Sequence, residues 1–150
     1  MTDYNLLAEQ IKSLAEDEPN YIPVLSNASA LIYDAMPELN WAGFYLMNNG
    51  SLLLGPFQGK VACIRIALGK GVCGTAAGND ETLVVPNVHE FPGHIACDCA
   101  SNSEIVVPIH KDGKVIGVLD IDSPKLERFT AEDRKGLELF VKTLENVTCF

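Results

Sequence analysis

Two dipeptides constrain this chain more than anything else in it. Asn49-Gly50 and Asp112-Gly113 each stand between apolar runs, and both residue pairs supply the positive φ that tight antiparallel turns require. Trp41–Met47 therefore returns through Ser51–Leu54, and Ile105–Ile109 through Lys114–Ile121. Val61–Ile66 and Thr82–Val85 read as a third and a fourth single strand between these hairpins. The sheet they form is expected to be antiparallel, with the small helix inserted between strands.

Helical periodicity flanks the strands. Residues 3–17 place Leu6, Leu7, Ile11 and Leu14 on one side, and Glu18-Pro19-Asn20 interrupts them. A second helix spans about Ile22 to Ala35, carrying Val24, Leu25, Ala28, Leu31 and Ile32, and Pro37 closes it. Gly71–Ala77 suggests a short helix entered through glycines. Thr130-Ala131-Glu132-Asp133 resembles a capping box opening a last helix that ends near Val147. The expected architecture is α+β, a central antiparallel sheet with helices packed on its faces, over a single domain spanning 1–150.

Composition narrows the function. A net charge of −9 without a basic cluster argues against a nucleic-acid partner, which needs cations to displace phosphate counterions. No apolar run reaches the roughly 18–20 residues needed to cross a bilayer. The first residues lack a basic region leading into an apolar one, so a cytoplasmic location is expected. Five cysteines in a reducing compartment suggest buried thiols, a metal site or redox chemistry rather than structural staples.

Four groups of residues could carry chemistry. The segment 86–103 has no clear periodicity and holds His89, His94, Cys97, Asp98 and Cys99. Imidazoles and loop N–H groups there could lower a thiol pKa and make a nucleophile. The same residues could instead be idle thiols, or a zinc site of His89, His94, Cys97 and Cys99, although their spacing is not that of common structural zinc sites. Cys63, expected mid-strand, and Cys73, in a glycine-rich segment, read either as small buried hydrophobes or as thiols that discharge a sulfenate formed elsewhere.

The third group is Glu104, Asp120 and Asp122, near the ends of two paired strands. A two-residue Asp112-Gly113 loop would turn Glu104 away from both aspartates. A three-residue loop, Lys111-Asp112-Gly113, would pair residue 110 with 114, set Glu104 opposite Asp120 and put all three carboxylates on one face. The second register is the one expected here. Such a trio raises at least one carboxyl pKa; it could hold an ammonium group, take a divalent cation or lie solvated at a strand end. The fourth group is Trp41-x-Gly43-x-Tyr45, whose members share one face of a strand. Glycine between the rings could leave a slot for a ligand, or the two rings could be core.

These residues stand in blocks that resemble the free methionine-(R)-sulfoxide reductase family of GAF domains. The resemblance is carried by Trp41-Ala42-Gly43-Phe44-Tyr45, Gly55–Lys60, Gly71-Val72-Cys73-Gly74-Thr75-Ala76, Phe91–Asp98, Ser101–Pro108 and Gly117–Ser123, in family order over nearly the whole chain. It implies a GAF-like fold and reduction of free methionine-(R)-S-oxide through a cysteine sulfenic acid and an intramolecular disulfide. Cys97 matches the catalytic thiol, Cys63 the main resolving thiol and Cys73 the auxiliary one. Glu104, Asp120 and Asp122 match the carboxylates that hold the ammonium and hydrogen-bond the sulfoxide oxygen. Trp41 and Tyr45 match the wall around the methyl-sulfinyl end. The resemblance further implies a homodimer, no bound cofactor or metal, and thioredoxin (or dithiothreitol) as reductant. Cys99 and Cys149 fall outside the family's pattern.

Overall fold

The computed structural model describes residues 1–95 and 100–150. Two helices come first, α1 (Tyr4–Ala15) and α2 (Tyr21–Ala35). Asp3 and Asn20 cap them, accepting the N–H groups of Leu6 and Ile22 at 3.0 and 2.9 Å, which satisfies donors the helix itself cannot. Then follow β1 (Trp41–Asn48), β2 (Ser51–Gly59), β3 (Arg65–Ala67), α3 (Gly71–Asn79), β4 (Leu83–Val85), β5 (Ser103–Lys111), β6 (Lys114–Ser123) and α4 (Ala131–Val147). The capping box expected at Thr130 is present, with Asp133 as its reciprocal partner. No helix among the described residues is long and apolar enough to cross a membrane.

The strands form one sheet in the order β3-β2-β1-β6-β5-β4, every pair antiparallel. Side-chain alternation divides its contacts into two cores. On one face Ala42, Phe44, Ile105, Val107, Leu119 and Ile121 pack against α1, α2 and α4. On the other, Trp41, Tyr45, Val106 and Val118 pack against Val72, Cys73, Ala76 and Ala77 of α3. Each large aliphatic or aromatic side chain so buried contributes about 1.5–3 kcal/mol. The first face carries the larger set of buried side chains. The second is thinner and includes polar groups.

Two expectations need correction, and one open alternative is decided. The β5–β6 turn is the two-residue form: Asp112 and Gly113 both take positive φ, 52° and 76°, and Lys111 pairs with Lys114. The extra residue enters later, as a bulge between Ile109 and His110 opposite Val115–Gly117. Gly117 sits there because a Cβ would come within 2.5 Å of the Tyr45 carbonyl oxygen. The bulge restores the parity that the turn alone would lose. Glu104 therefore opposes Asp122 rather than Asp120, and Asp120 opposes Val106, yet all three carboxylates still share one face.

The third strand is shorter than expected and Cys63 is not in it. Only Arg65–Ala67 pairs with β2, while residues 61–63 are irregular. Side chains of β1 take up carbonyls of this segment: Trp41 Nε1 donates to the Lys60 oxygen at 3.1 Å and Tyr45 Oη to the Cys63 oxygen at 2.8 Å. Finally, Gly43 leaves no slot. A Cβ there would lie 2.3 Å from Cβ of Phe57 and 2.9 Å from the Pro56 oxygen. The Phe57 ring stacks on Trp41 at a centroid distance of 5.1 Å, so β2 occupies the space.

Candidate active site

The site lies under α3, where strand period and register converge. β6 sets Asp122 opposite Trp41 and Asp120 opposite Gly43, and β5 sets Glu104 opposite Asp122. α3 packs against Val106 and Val118 of β5 and β6, and a Cβ on Gly74 would lie 2.3 Å from the Ala67 oxygen at the end of β3. It delivers Cys73 to the acids. Cys73 Sγ and one carboxylate oxygen each of Glu104 and Asp120 lie within 4.8 Å of one another, all three side chains buried. The Cys73 thiol donates to Glu104 Oε2 at 3.9 Å. A cavity of about 50 Å³ adjoins this cluster and is lined by Trp41, Tyr45, Ala62, His94, Ser101 and Asp122, among others.

Electrostatics assign protonation. Burial, then the charges of Asp120 and Asp122, push the Glu104 carboxyl well above its ordinary range, and its hydrogen bonds to both aspartates act in the same direction. Burial also raises Asp120, but hydrogen bonds from Glu104 and Cys73 oppose this. Glu104 therefore holds the proton and Asp120 accepts, because three neighbouring carboxylates cannot all stay ionised cheaply. Asp120 Oδ1 is buried without a hydrogen-bond partner among the described residues, an acceptor awaiting a donor. Burial, followed by the charges of Asp120 and Glu104, pushes the Cys73 thiol up, so Cys73 stays a thiol at neutral pH.

The remaining expected residues distribute as follows. Trp41 and Tyr45 are stacked at 5.9 Å and wall the cavity. Cys63 is disulfide-bonded, whereas Cys73 and Cys149 are free thiols. Cys97, expected as the nucleophile, and Cys99 lie outside the described residues. His94 lines the cavity; partial burial, reinforced by His89, lowers its pKa, so it is neutral at physiological pH. His89 is exposed, bonded to Asn102 Oδ1 at 2.8 Å, with its ring 6.4 Å from that of His94. The cluster of Cys73, Glu104 and Asp120 is a donor set that could take a divalent cation.

Two polar residues escaped sequence reasoning. Ser101 is buried, lines the cavity and accepts from Asn40 Nδ2 at 3.0 Å. Neither sits in a pattern of its own, and only the fold brings residues 61 positions apart together. The N-terminus of α3 also faces the cavity through Gly71, Val72 and Cys73. Its N-cap, Lys70, makes no side-chain capping bond, so the positive end of the helix dipole faces the cavity without a side-chain cap among the described residues.

A curled antiparallel sheet with a short helix enclosing a pocket on one face defines a GAF domain, and residues 23–147 match that family. The free methionine-R-sulfoxide reductase of Escherichia coli is 50% identical over 144 residues, covering 96% of this chain and 87% of its own. The structure of reduced fRMsr of Staphylococcus aureus is 55% identical with a TM-score of 0.94, covering 97% of this chain and 95% of that one. Free methionine-R-sulfoxide reductase from Neisseria meningitidis, solved with its substrate, is 43% identical with a TM-score of 0.91, covering 95% and 86%. The chain belongs to the free methionine-R-sulfoxide reductase family of oxidoreductases.

Proposed function

We propose that the protein reduces free L-methionine-(R)-S-oxide to L-methionine, with Cys97 as nucleophile, Cys63 as resolving thiol and thioredoxin as reductant. The observation that supports this reading is the buried carboxyl cluster, in which Glu104 keeps a proton while Asp120, lining a cavity walled by Trp41 and Tyr45, has an oxygen without a hydrogen-bond partner among the described residues. A free amino acid supplies complementary groups. Its ammonium satisfies Asp120 and Asp122. Its carboxylate suits the uncapped N-terminus of α3. Its methyl-sulfinyl end lies against the rings.

Glu104 donates a hydrogen bond to the sulfoxide oxygen and makes the sulfur electrophilic. Cys97 thiolate attacks that sulfur; the oxygen passes to Cys97, methionine leaves, and a sulfenic acid remains. The Cys63 thiol attacks the sulfenate sulfur, water departs, and a Cys63–Cys97 disulfide forms. A dithiol then reduces it with two electrons. The disulfide-bonded state of Cys63 supports its place in this cycle, and the elevated thiol pKa of Cys73 suits it to an auxiliary role. A methionine inside a polypeptide carries an amide in place of the ammonium and would leave buried carboxylate oxygen unpaired, at a cost of several kcal/mol.

Single-turnover methionine release tests the assignment. Reduced wild-type protein should release one equivalent without added reductant. Cys97→Ser should release none, and Cys63→Ala should release one and then stall with thioredoxin. Sustained thioredoxin-driven turnover by Cys63→Ala would remove Cys63 from its role.

A further inference from the structure

We propose that the irregular segment around Cys63 is the docking surface for the reducing partner, a dithiol protein with a flat apolar face around its thiols and acidic residues at the border. This rests on the reductase cycle proposed above. A protein reductant must reach one of the disulfide's sulfurs, and Cys63 is half-exposed. The residues around it are the wrong ones for a solvated loop. Val61 is 87% exposed and Ile64 69%, more than any other large hydrophobic side chain among the described residues except Met1, and Leu68 on the same segment is 42% exposed. Val61, which also lines the cavity rim, and Ile64 are β-branched apolar residues exposed to water near Cys63 in the chain, a patch that binding would cover.

Charge points the same way. In a chain of net charge −9, residues 39–79 contain no Asp or Glu and carry Lys60, Arg65 and Lys70. Lys60 and Arg65 flank the apolar pair and are exposed. Neither forms an ion pair with a carboxylate among the described residues; Arg65 instead donates to Asn48 and Ser51. An apolar centre bordered by unneutralised cations complements a partner of the opposite charge, which the acidic remainder of this chain would otherwise repel. The segment is also pre-shaped. The bonds from Trp41 and Tyr45 to the Lys60 and Cys63 carbonyls hold it outside the sheet before any partner arrives, which reduces the ordering cost of association.

The step it serves is balanced. A thiolate of the partner attacks Cys63 Sγ; the Cys63–Cys97 bond breaks and Cys97 leaves as thiolate. The partner's second thiol attacks the mixed disulfide, frees Cys63, and the partner departs oxidised by two electrons.

The test compares two reductants. Ile64→Ser and Lys60→Glu alter the surface at side chains outside the cavity. With thioredoxin as the varied substrate, each should raise KM about tenfold, while turnover driven by dithiothreitol stays at the wild-type value. The wild-type KM for thioredoxin should rise with ionic strength, and Lys60→Glu should flatten that dependence. Unchanged thioredoxin KM in both variants would overturn the docking surface while leaving the reductase intact. So would dissociation of an oligomer by Ile64→Ser in sedimentation, which would assign the patch to a second copy of this chain. Absence of dithiothreitol-driven turnover in the wild type would overturn the reductase reading itself, and the surface with it.

Discussion

Tyr45→Phe separates two jobs that one side chain could do. The ring belongs to the cavity wall and stacks on Trp41, whereas the hydroxyl points at the Cys63 carbonyl, 2.8 Å away. Phenylalanine keeps the first and removes the second. The side chain is 2% exposed, so water does not readily replace the lost donor. A neutral hydrogen bond of this kind contributes about 1 kcal/mol net. If that energy holds Cys63 in line with the sulfenate, its loss slows resolution about fivefold. Rapid-quench methionine release reports the first chemical step, and trapping with a sulfenate-specific reagent reports the second. The variant should release its first equivalent of methionine at the wild-type rate and keep its sulfenate about fivefold longer. A slowed burst with an unchanged sulfenate lifetime would show that the hydroxyl acts on the substrate and would refute the positioning role.

The raised pKa of Glu104 gives a signed pH dependence. The proton is present at neutral pH and is lost as pH rises through the elevated value, so turnover should fall on the alkaline side. Glu104→Gln should lower the rate about 10²–10⁴-fold and abolish that limb. Because the folded state binds this proton more tightly than the unfolded chain, the contribution of Glu104 to stability is fully present below the ordinary carboxyl pKa and is lost as pH rises through the elevated one; thermal melts of Glu104→Gln should lack that component of the pH dependence. Asp133 joins the α4 capping box to Tyr4 Oη at 2.6 Å and to Arg128 at 3.1 Å, and denaturant titration of Asp133→Ala should show a loss of about 2–4 kcal/mol. Gly43→Ala should cost about 1–3 kcal/mol by the same assay, since Phe57 blocks the added methyl.

The turns and periods made most of the fold legible. Asn49-Gly50 and Asp112-Gly113 fixed both hairpins because the chemistry that permits positive φ is local. Trp41, Gly43 and Tyr45 share a face because strand period is local too. The Glu104 register was harder. The expected face was right, but the shift arises from a bulge near Ile116, beside a Gly117 whose need for space depends on β1. Gly43 left two readings open for the same reason: a strand glycine signals a close neighbour, and only the structure shows that the neighbour is Phe57 rather than a ligand. Cys63 left its expected strand because two β1 side chains take the carbonyls of its segment, a long-range competition with no mark in the local pattern. Ser101 and Asn40 were missed because their pairing exists only in three dimensions.

The most direct measurement follows both sulfur epimers of free methionine sulfoxide in one vessel. Racemic sulfoxide is incubated with the protein and dithiothreitol, and what remains is resolved by chiral chromatography. The R-epimer should disappear with an equal yield of methionine, while the S-epimer and a methionine sulfoxide placed within a peptide persist. Survival of both free epimers, or consumption of the S form, would contradict an acid-lined pocket built for this one amino acid.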